Sequence, residues 1–261
     1  MFETFAFVVP CFNEERRFPT EHWQNILAAH RGILWIFVDD GSTDGTSGLL
    51  KELESEGNVY VLTLQSNCGK GNAVRRGLIQ ALVMKPELKV LGFLDSDGAF
   101  SSFDISHLID IADMRMIQST ENSIDAVLSS RVALSGRSIQ RSQSRHYIGR
   151  FIATLLTYKW IDSPYDTQSG FKLFRNTIFF RESLKPAFST KWFVDVELLT
   201  RIAIHNNGRL LIWEEPLMSW NDVGGSKLKA TKLFSIGKEF VIARKQVKLF
   251  LSERQKNNGF D

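Results

Sequence analysis

The chain has little cysteine. Cys11 and Cys68 are the two in 261 residues, too few for a disulfide framework, so reduced thiols in a cytoplasmic protein are expected. The five histidines show no metal-ligand spacing, and none pairs with a cysteine as a thiol nucleophile requires. No apolar run reaches the roughly 18 residues of a membrane span. The opening Met1 to Pro10 lacks a basic leader and a small-residue cleavage site, and reads as a buried strand rather than a signal peptide. Net charge is only +3, so the bulk field does not point to nucleic acid, and no nucleic-acid partner is expected. Repeats, low-complexity tracts and Pro- or Gly-rich linkers are also missing, which favours one domain.

Core material is ample, with 43% apolar residues and 20 phenylalanines. Short apolar runs at Phe5 to Val9, Leu34 to Val38, Val59 to Leu64, Val90 to Leu94 and Ala126 to Ser129 read as strands buried on both faces. Helix-like segments separate them, at Glu21 to Ala29, Thr46 to Glu56, Gly71 to Met84 and Ile105 to Gln118. This alternation predicts an α/β fold with a mostly parallel sheet covered by helices. Beyond Arg131 the spacing predicts a helix near His146 to Tyr158, another at Val194 to His205 and a strand at Leu210 to Trp213.

The polar signals gather where strands end, the edge at which such sheets hold ligands. Leu94-Asp95-Ser96-Asp97-Gly98 puts two carboxylates one residue apart, where strand alternation points both to one face. Together they suit a hard divalent cation, Mg2+ or Mn2+, that draws in phosphate oxygens. Asp39-Asp40-Gly41-Ser42 ends the second strand and suits hydrogen bonding to a nucleotide, or simply a turn and helix cap. Gly69-Lys70-Gly71-Asn72 opens a helix and offers backbone and charge to an anion, though Leu64 excludes a Walker sequence. Arg131, Arg141 and Arg145 are candidates for a second phosphate, because the guanidinium fork pairs bidentately with its oxygens. Asp195 and Glu197 stand in an apolar setting, as a general base or as partners of a buried basic residue. Leu233 to Leu251 reads as a basic amphipathic helix that either lies on an anionic membrane or packs on its own domain.

Taken together, Val8-Val-Pro-Cys-Phe-Asn-Glu-Glu15, Val38-Asp-Asp-Gly-Ser-Thr-Asp44 and Leu94-Asp-Ser-Asp-Gly98 resemble, in order and spacing, the inverting family-two glycosyltransferases. Ser129-Ser-Arg131, Asp166-Thr-Gln-Ser-Gly-Phe-Lys-Leu-Phe174, Trp192-Phe-Val-Asp-Val-Glu-Leu-Leu199 and Trp220 with Gly225-Ser-Lys227 resemble the polyprenyl- and dolichyl-phosphate sugar transferases, especially their glucosyl branch. The resemblance implies a GT-A-type single domain with a Rossmann-like nucleotide-binding half. Residues 1–130 would bind the nucleotide sugar, 131–252 the acceptor, and 253–261 would form a polar tail. Pro10, Phe12, Asn13, Glu14, Asp39, Asp40, Gly41, Ser42, Lys70, Asp95 and Ser96 would serve the donor, UDP-glucose ahead of GDP-mannose. Asp95 and Asp97 would hold the metal, and Arg131, Arg141, Arg145, Gln168 and Ser169 would lie near the acceptor.

The implied reaction is an in-line displacement at the anomeric carbon with inversion. A lipid-phosphate acceptor, reached peripherally on the cytoplasmic membrane face, is already anionic and needs no strong base. Many relatives carry membrane-spanning segments and none is legible here, so a soluble glycan or hydroxyl acceptor stays open. That acceptor would call on Asp195 as base. Rival readings are a haloacid-dehalogenase-type phosphatase, against which Ala99 replaces an expected Thr, and a module that binds sugar nucleotides without turnover. A dinucleotide oxidoreductase is weaker, because Pro10-Cys-Phe-Asn follows the first strand instead of a glycine fingerprint.

Overall fold

The computed structural model describes residues 3–119, 123–140, 154, 160, 163–191, 193–221 and 231–258. Five parallel-sheet strands form where the apolar runs lie: β1 (Phe5–Cys11), β2 (Leu34–Asp39), β3 (Val59–Thr63), β4 (Val90–Leu94) and β5 (Ala126–Ser130). Between them run α1 (Thr20–Ala29), α2 (Thr46–Leu53), α3 (Lys70–Met84) and α4 (Ser102–Ala112). The predicted helices ending at Glu56 and Gln118 tighten or widen at their ends, into a 3-10 turn at Glu54–Glu56 and a π turn at Asp113–Gln118. Ser101 caps α4 by accepting a hydrogen bond from the Asp104 amide at 3.1 Å.

Later elements are β6 (Ser138–Gln140), β7 (Phe171–Arg175), α5 (Ile178–Leu184), α6 (Val194–His205), β8 (Ile212–Pro216), β9 (Ser219–Asn221) and α7 (Thr231–Asn258). The main sheet has seven strands in the order β3-β2-β1-β4-β7-β5-β8. Only β7 runs against its neighbours, pairing antiparallel with β4 and β5. It therefore stitches the two halves of the chain into one sheet. The helix expected near 146–158 lies almost wholly outside the described residues.

Strand alternation sorts the core into two layers. Phe5, Phe7, Val9, Trp35 and Phe37 face α1, α2 and α4, where Trp23, Leu50 and Ile105 are fully buried. Ala6, Val8, Ile36 and Val38 face α3, α5 and α6, meeting Leu78, Phe180 and Leu199. Each such large side chain contributes about 1.5–3 kcal/mol on burial.

Helix α7 answers to one of the two readings of its stripe and corrects the expected tail. Its Ala243, Val247 and Phe250 are buried, so the apolar stripe read from the sequence packs on the domain, with Phe250 edge-on to Trp160. The helix also continues to Asn258, through most of the segment read as a tail, and Glu253 pairs with Lys256 at 2.7 Å across its last turn. Among the described residues no helix is long and apolar enough to cross a membrane.

Candidate active site

A cavity of about 600 Å³ opens at the carboxyl ends of β1, β2 and β4. Pro10, Phe12, Glu14, Asp40, Lys70, Asp95, Ser96 and Asp97 line it from the first half of the chain. Arg131, Gln168 and Asp195 line it from the second. Arg17 and Lys191 line it too, and neither was singled out in the sequence, because a lone cation outside a motif looks like a solvated charge. Arg141 and Arg145 lie outside the described residues.

Several expected donor residues are not in the lining but build its rim. Buried Asp39 accepts a hydrogen bond from the Ser42 amide at 2.9 Å, and Ser42 Oγ accepts one from the Asn13 amide at 3.0 Å. Asn13 Oδ1 in turn accepts from the Thr43 amide at 2.9 Å. These bonds tie the loop after β1 to the turn after β2, where Gly41 adopts φ +70. Asp40, nearly fully buried, accepts from the Cys68 and Gly69 amides at 2.8 and 2.9 Å, so it fixes the loop that launches α3. Glu14 forks onto Arg17, with Nη2 to Oε1 at 2.7 Å. Neither thiol is set up as a nucleophile: burial raises Cys11 well above the ordinary value, and burial with Asp40 pushes Cys68 up to about 11.

The acidic pair reaches the cavity by a route the sequence did not indicate. Strand β4 ends at Leu94, and Asp97 sits in the turn beyond it, accepting a hydrogen bond from the Ala99 amide at 3.1 Å. Strand alternation therefore does not align the two carboxylates; the turn does. Asp95 is pinned from behind by the bond from its amide to the Gly170 carbonyl at 3.1 Å. A Cβ on Gly170 would collide with the Asp95 carboxylate, which explains the glycine of Ser-Gly-Phe-Lys. Asp95 Oδ1 is buried, makes no hydrogen bond of acceptable geometry, and meets Lys70 Nζ as an ion pair at 2.5 Å. Burial, then the neighbouring charge of Asp95, raise the Asp97 carboxyl above its ordinary value. Burial pulls the Lys70 ammonium down, but Asp95, Asp195 and Asp97 outweigh it and leave it raised. Lys70 is paired with Asp95 and Arg17 with Glu14, so among the described residues Asp97 has no ion pair of its own, which fits a site for a further cation. Among the described residues no group of three His, Cys, Asp or Glu could enclose a metal ion, so ligand oxygens would have to complete its shell.

From the second half of the chain, Arg131 forks onto Asp166, with Nε to Oδ2 at 2.7 Å and Nη2 to Oδ1 at 2.8 Å, and its guanidinium lies 5.1 Å from the Trp220 ring centre. Gln168 Nε2 is buried without a hydrogen-bond partner, a donor at the cavity wall with capacity to spare. Ser169 is instead turned into the core, its hydroxyl 2.5 Å from that of Ser129. Asp195 Oδ1 is 2.8 Å from Nζ of Lys172, a lysine with no exposed surface that also donates to the Ser169 carbonyl. Glu197 points away and accepts from the Ser189 and Thr190 amides and from Arg201 at 2.6 Å, a structural role.

The glycosyl transferase family 2 model matches residues 6–184. A dolichyl-phosphate beta-glucosyltransferase of Saccharomyces cerevisiae is 32% identical over 257 residues, covering 91% of this chain and 73% of its own. The human dolichyl-phosphate beta-glucosyltransferase is 33% identical over 238 residues, covering 85% and 68%. Among solved structures, glucosyl-3-phosphoglycerate synthase from Mycobacterium tuberculosis, in complex with Mn2+, UDP and glucosyl-3-phosphoglycerate, superposes with a TM-score of 0.62. That likeness covers 96% of this chain and 80% of the other at 17% identity, and it shows a shared GT-A fold.

Proposed function

The chain belongs to glycosyl transferase family 2, and from that premise we propose that it transfers glucose, with inversion, from UDP-glucose to a polyprenyl phosphate such as dolichyl phosphate. The observation that carries this reading is one cavity lined from both halves of the chain. An acidic pair and Lys70 line it from the first half, and Arg131 with the unsatisfied Gln168 amide from the second. A donor diphosphate suits the first set, the donor wall, and an acceptor phosphate the second, the acceptor wall.

Asp95 and Asp97 would hold Mg2+ or Mn2+, which supplies positive charge to the departing nucleoside diphosphate. Lys70 and the first turn of α3 add charge and amide donors toward the same group. Asp40 keeps that turn in place without contributing charge to the ligand, since its oxygens are taken by two amides. Arg131 holds the acceptor phosphate in line, and Asp166 fixes the guanidinium plane. A phosphate oxygen is anionic near neutral pH, so no proton has to be removed. The pairing of Asp195 with Lys172 supports a positioning role for that carboxylate rather than a general base. A lipid acceptor puts the reaction at a membrane surface, on the cytoplasmic face in this reading. The outer side of α7 supports peripheral contact, with Lys245 and Lys248 exposed beside Val241 and Leu249.

The test is incubation with UDP-glucose, Mn2+ and dolichyl phosphate. Lipid-linked glucose is expected, with little transfer from GDP-mannose. Product on sugar hydroxyls but none on the lipid phosphate would overturn the acceptor assignment. Hydrolysis of simple phosphate esters without transfer would favour the phosphatase rival.

A further inference from the structure

Lys70 and a divalent cation compete for the same oxygen. Lys70 Nζ lies 2.5 Å from Asp95 Oδ1, an atom with no hydrogen bond to keep it satisfied when the lysine leaves. Asp95 itself cannot follow a moving partner, because Gly170 packs against its carboxylate and the Gly170 carbonyl holds its amide. Lys70 can move. It is the first residue of α3, follows Gly69 and carries its charge on a flexible four-carbon stem, 43% exposed. A divalent ion on Asp95 would place like charges in contact if the ammonium stayed, while a donor diphosphate at the same wall offers that ammonium a new anionic partner.

We propose that Lys70 is the place-holder for the cation on Asp95 and that it passes to the donor's diphosphate when the cation binds, so that cation and donor enter as a coupled pair. The proposal rests on the metal-dependent reading above and adds a linkage that the acidic pair alone would not produce. Without donor, the cation must displace an ammonium that is left to water and to Asp195, a carboxylate already paired with Lys172. With donor present, the displaced ammonium is re-paired, and the cation binds more tightly for that reason as well as through the phosphate oxygens. By reciprocity, the cation tightens donor binding by the same factor.

The test measures Mn2+ binding to the full chain by the loss of the free-ion electron paramagnetic resonance signal, with and without UDP. Lys70→Met and Lys70→Gln are compared with the parent, and circular dichroism checks that each is folded. The parent is expected to bind Mn2+ weakly alone and tightly with UDP. Both variants should bind Mn2+ alone about tenfold more tightly than the parent, with the gain from UDP reduced. Lys70→Arg, which keeps the charge, should restore the parent's weak binding. If the neutral variants bind Mn2+ alone no better than the parent, while UDP still recruits the ion to the parent, the place-holder role is wrong and the metal reading stands. If UDP recruits no Mn2+ to the parent, the metal reading fails and takes the proposal with it.

Discussion

The two walls of the cavity are held by different chemistry. On the donor wall, carboxylates accept from backbone amides: Asp39 from Ser42, Asp40 from Cys68 and Gly69, and Asp44 from Glu15 and Thr46. On the acceptor wall, carboxylates meet cations: Asp166 meets Arg131 and Asp195 meets Lys172. An amide cannot leave its acceptor without unfolding the loop, so the donor wall is shaped before any ligand arrives. A partly exposed guanidinium such as that of Arg131 can exchange partners, so the acceptor wall stores charge that a ligand can draw on, whereas Lys172 is sealed in. Lys70 on Asp95 and Arg17 on Glu14 are the exceptions, exchangeable pairs on the otherwise fixed wall.

The largest expected effect comes at the acidic pair. Asp97→Asn should lower turnover by ~10²- to 10⁴-fold, or about 3–5 kcal/mol of charge stabilisation, in a steady-state transfer assay. Turnover within tenfold of the parent would remove Asp97 from the chemistry. Next is a deeply buried pair. Lys172→Met leaves Asp195 without its cation and should cost about 3–4 kcal/mol in urea unfolding, most of it regained in the double variant with Asp195→Asn. Failure of the double variant to recover would mean that Lys172 acts through packing.

Asp40→Ala should cost about 2 kcal/mol by orphaning two amides, and should raise the donor KM while leaving the acceptor KM within about twofold. An equal rise in both would deny that the walls act separately. Arg131→Lys keeps the charge but loses the fork, and should raise the acceptor KM roughly fivefold with the donor KM unchanged. The smallest effect concerns pH. Because the folded state raises the Asp97 carboxyl, its ionisation disfavours folding as pH rises through the raised value. Without added metal, Asp97→Asn should therefore melt slightly above the parent at pH 7. The difference should vanish below the ordinary aspartate value of 3.8, where both states are protonated.

The same contrast explains what the sequence made legible. The donor wall is built from contiguous signals, each an apolar strand running into its own polar turn, so β1 to β4 and their loops could be read directly. Asp40 was visible as a site residue, but its job as a loop anchor depends on Cys68 and Gly69, 28 and 29 residues away. The acceptor wall is assembled from distant partners. Strand β7 was missed because Lys172 interrupts an apolar run, and only the fold shows that Asp195 receives that lysine. Ser169 looked like a ligand group beside Gln168, but in the turn before β7 Gln168 lines the cavity while the Ser169 hydroxyl meets Ser129.

The most direct measurement is anomalous diffraction from crystals soaked with Mn2+ and UDP. A manganese peak about 2.0–2.3 Å from an Asp97 oxygen, touching the UDP diphosphate, is the expected result. UDP bound elsewhere, or bound in the cavity with no metal near Asp95 and Asp97, would contradict the account.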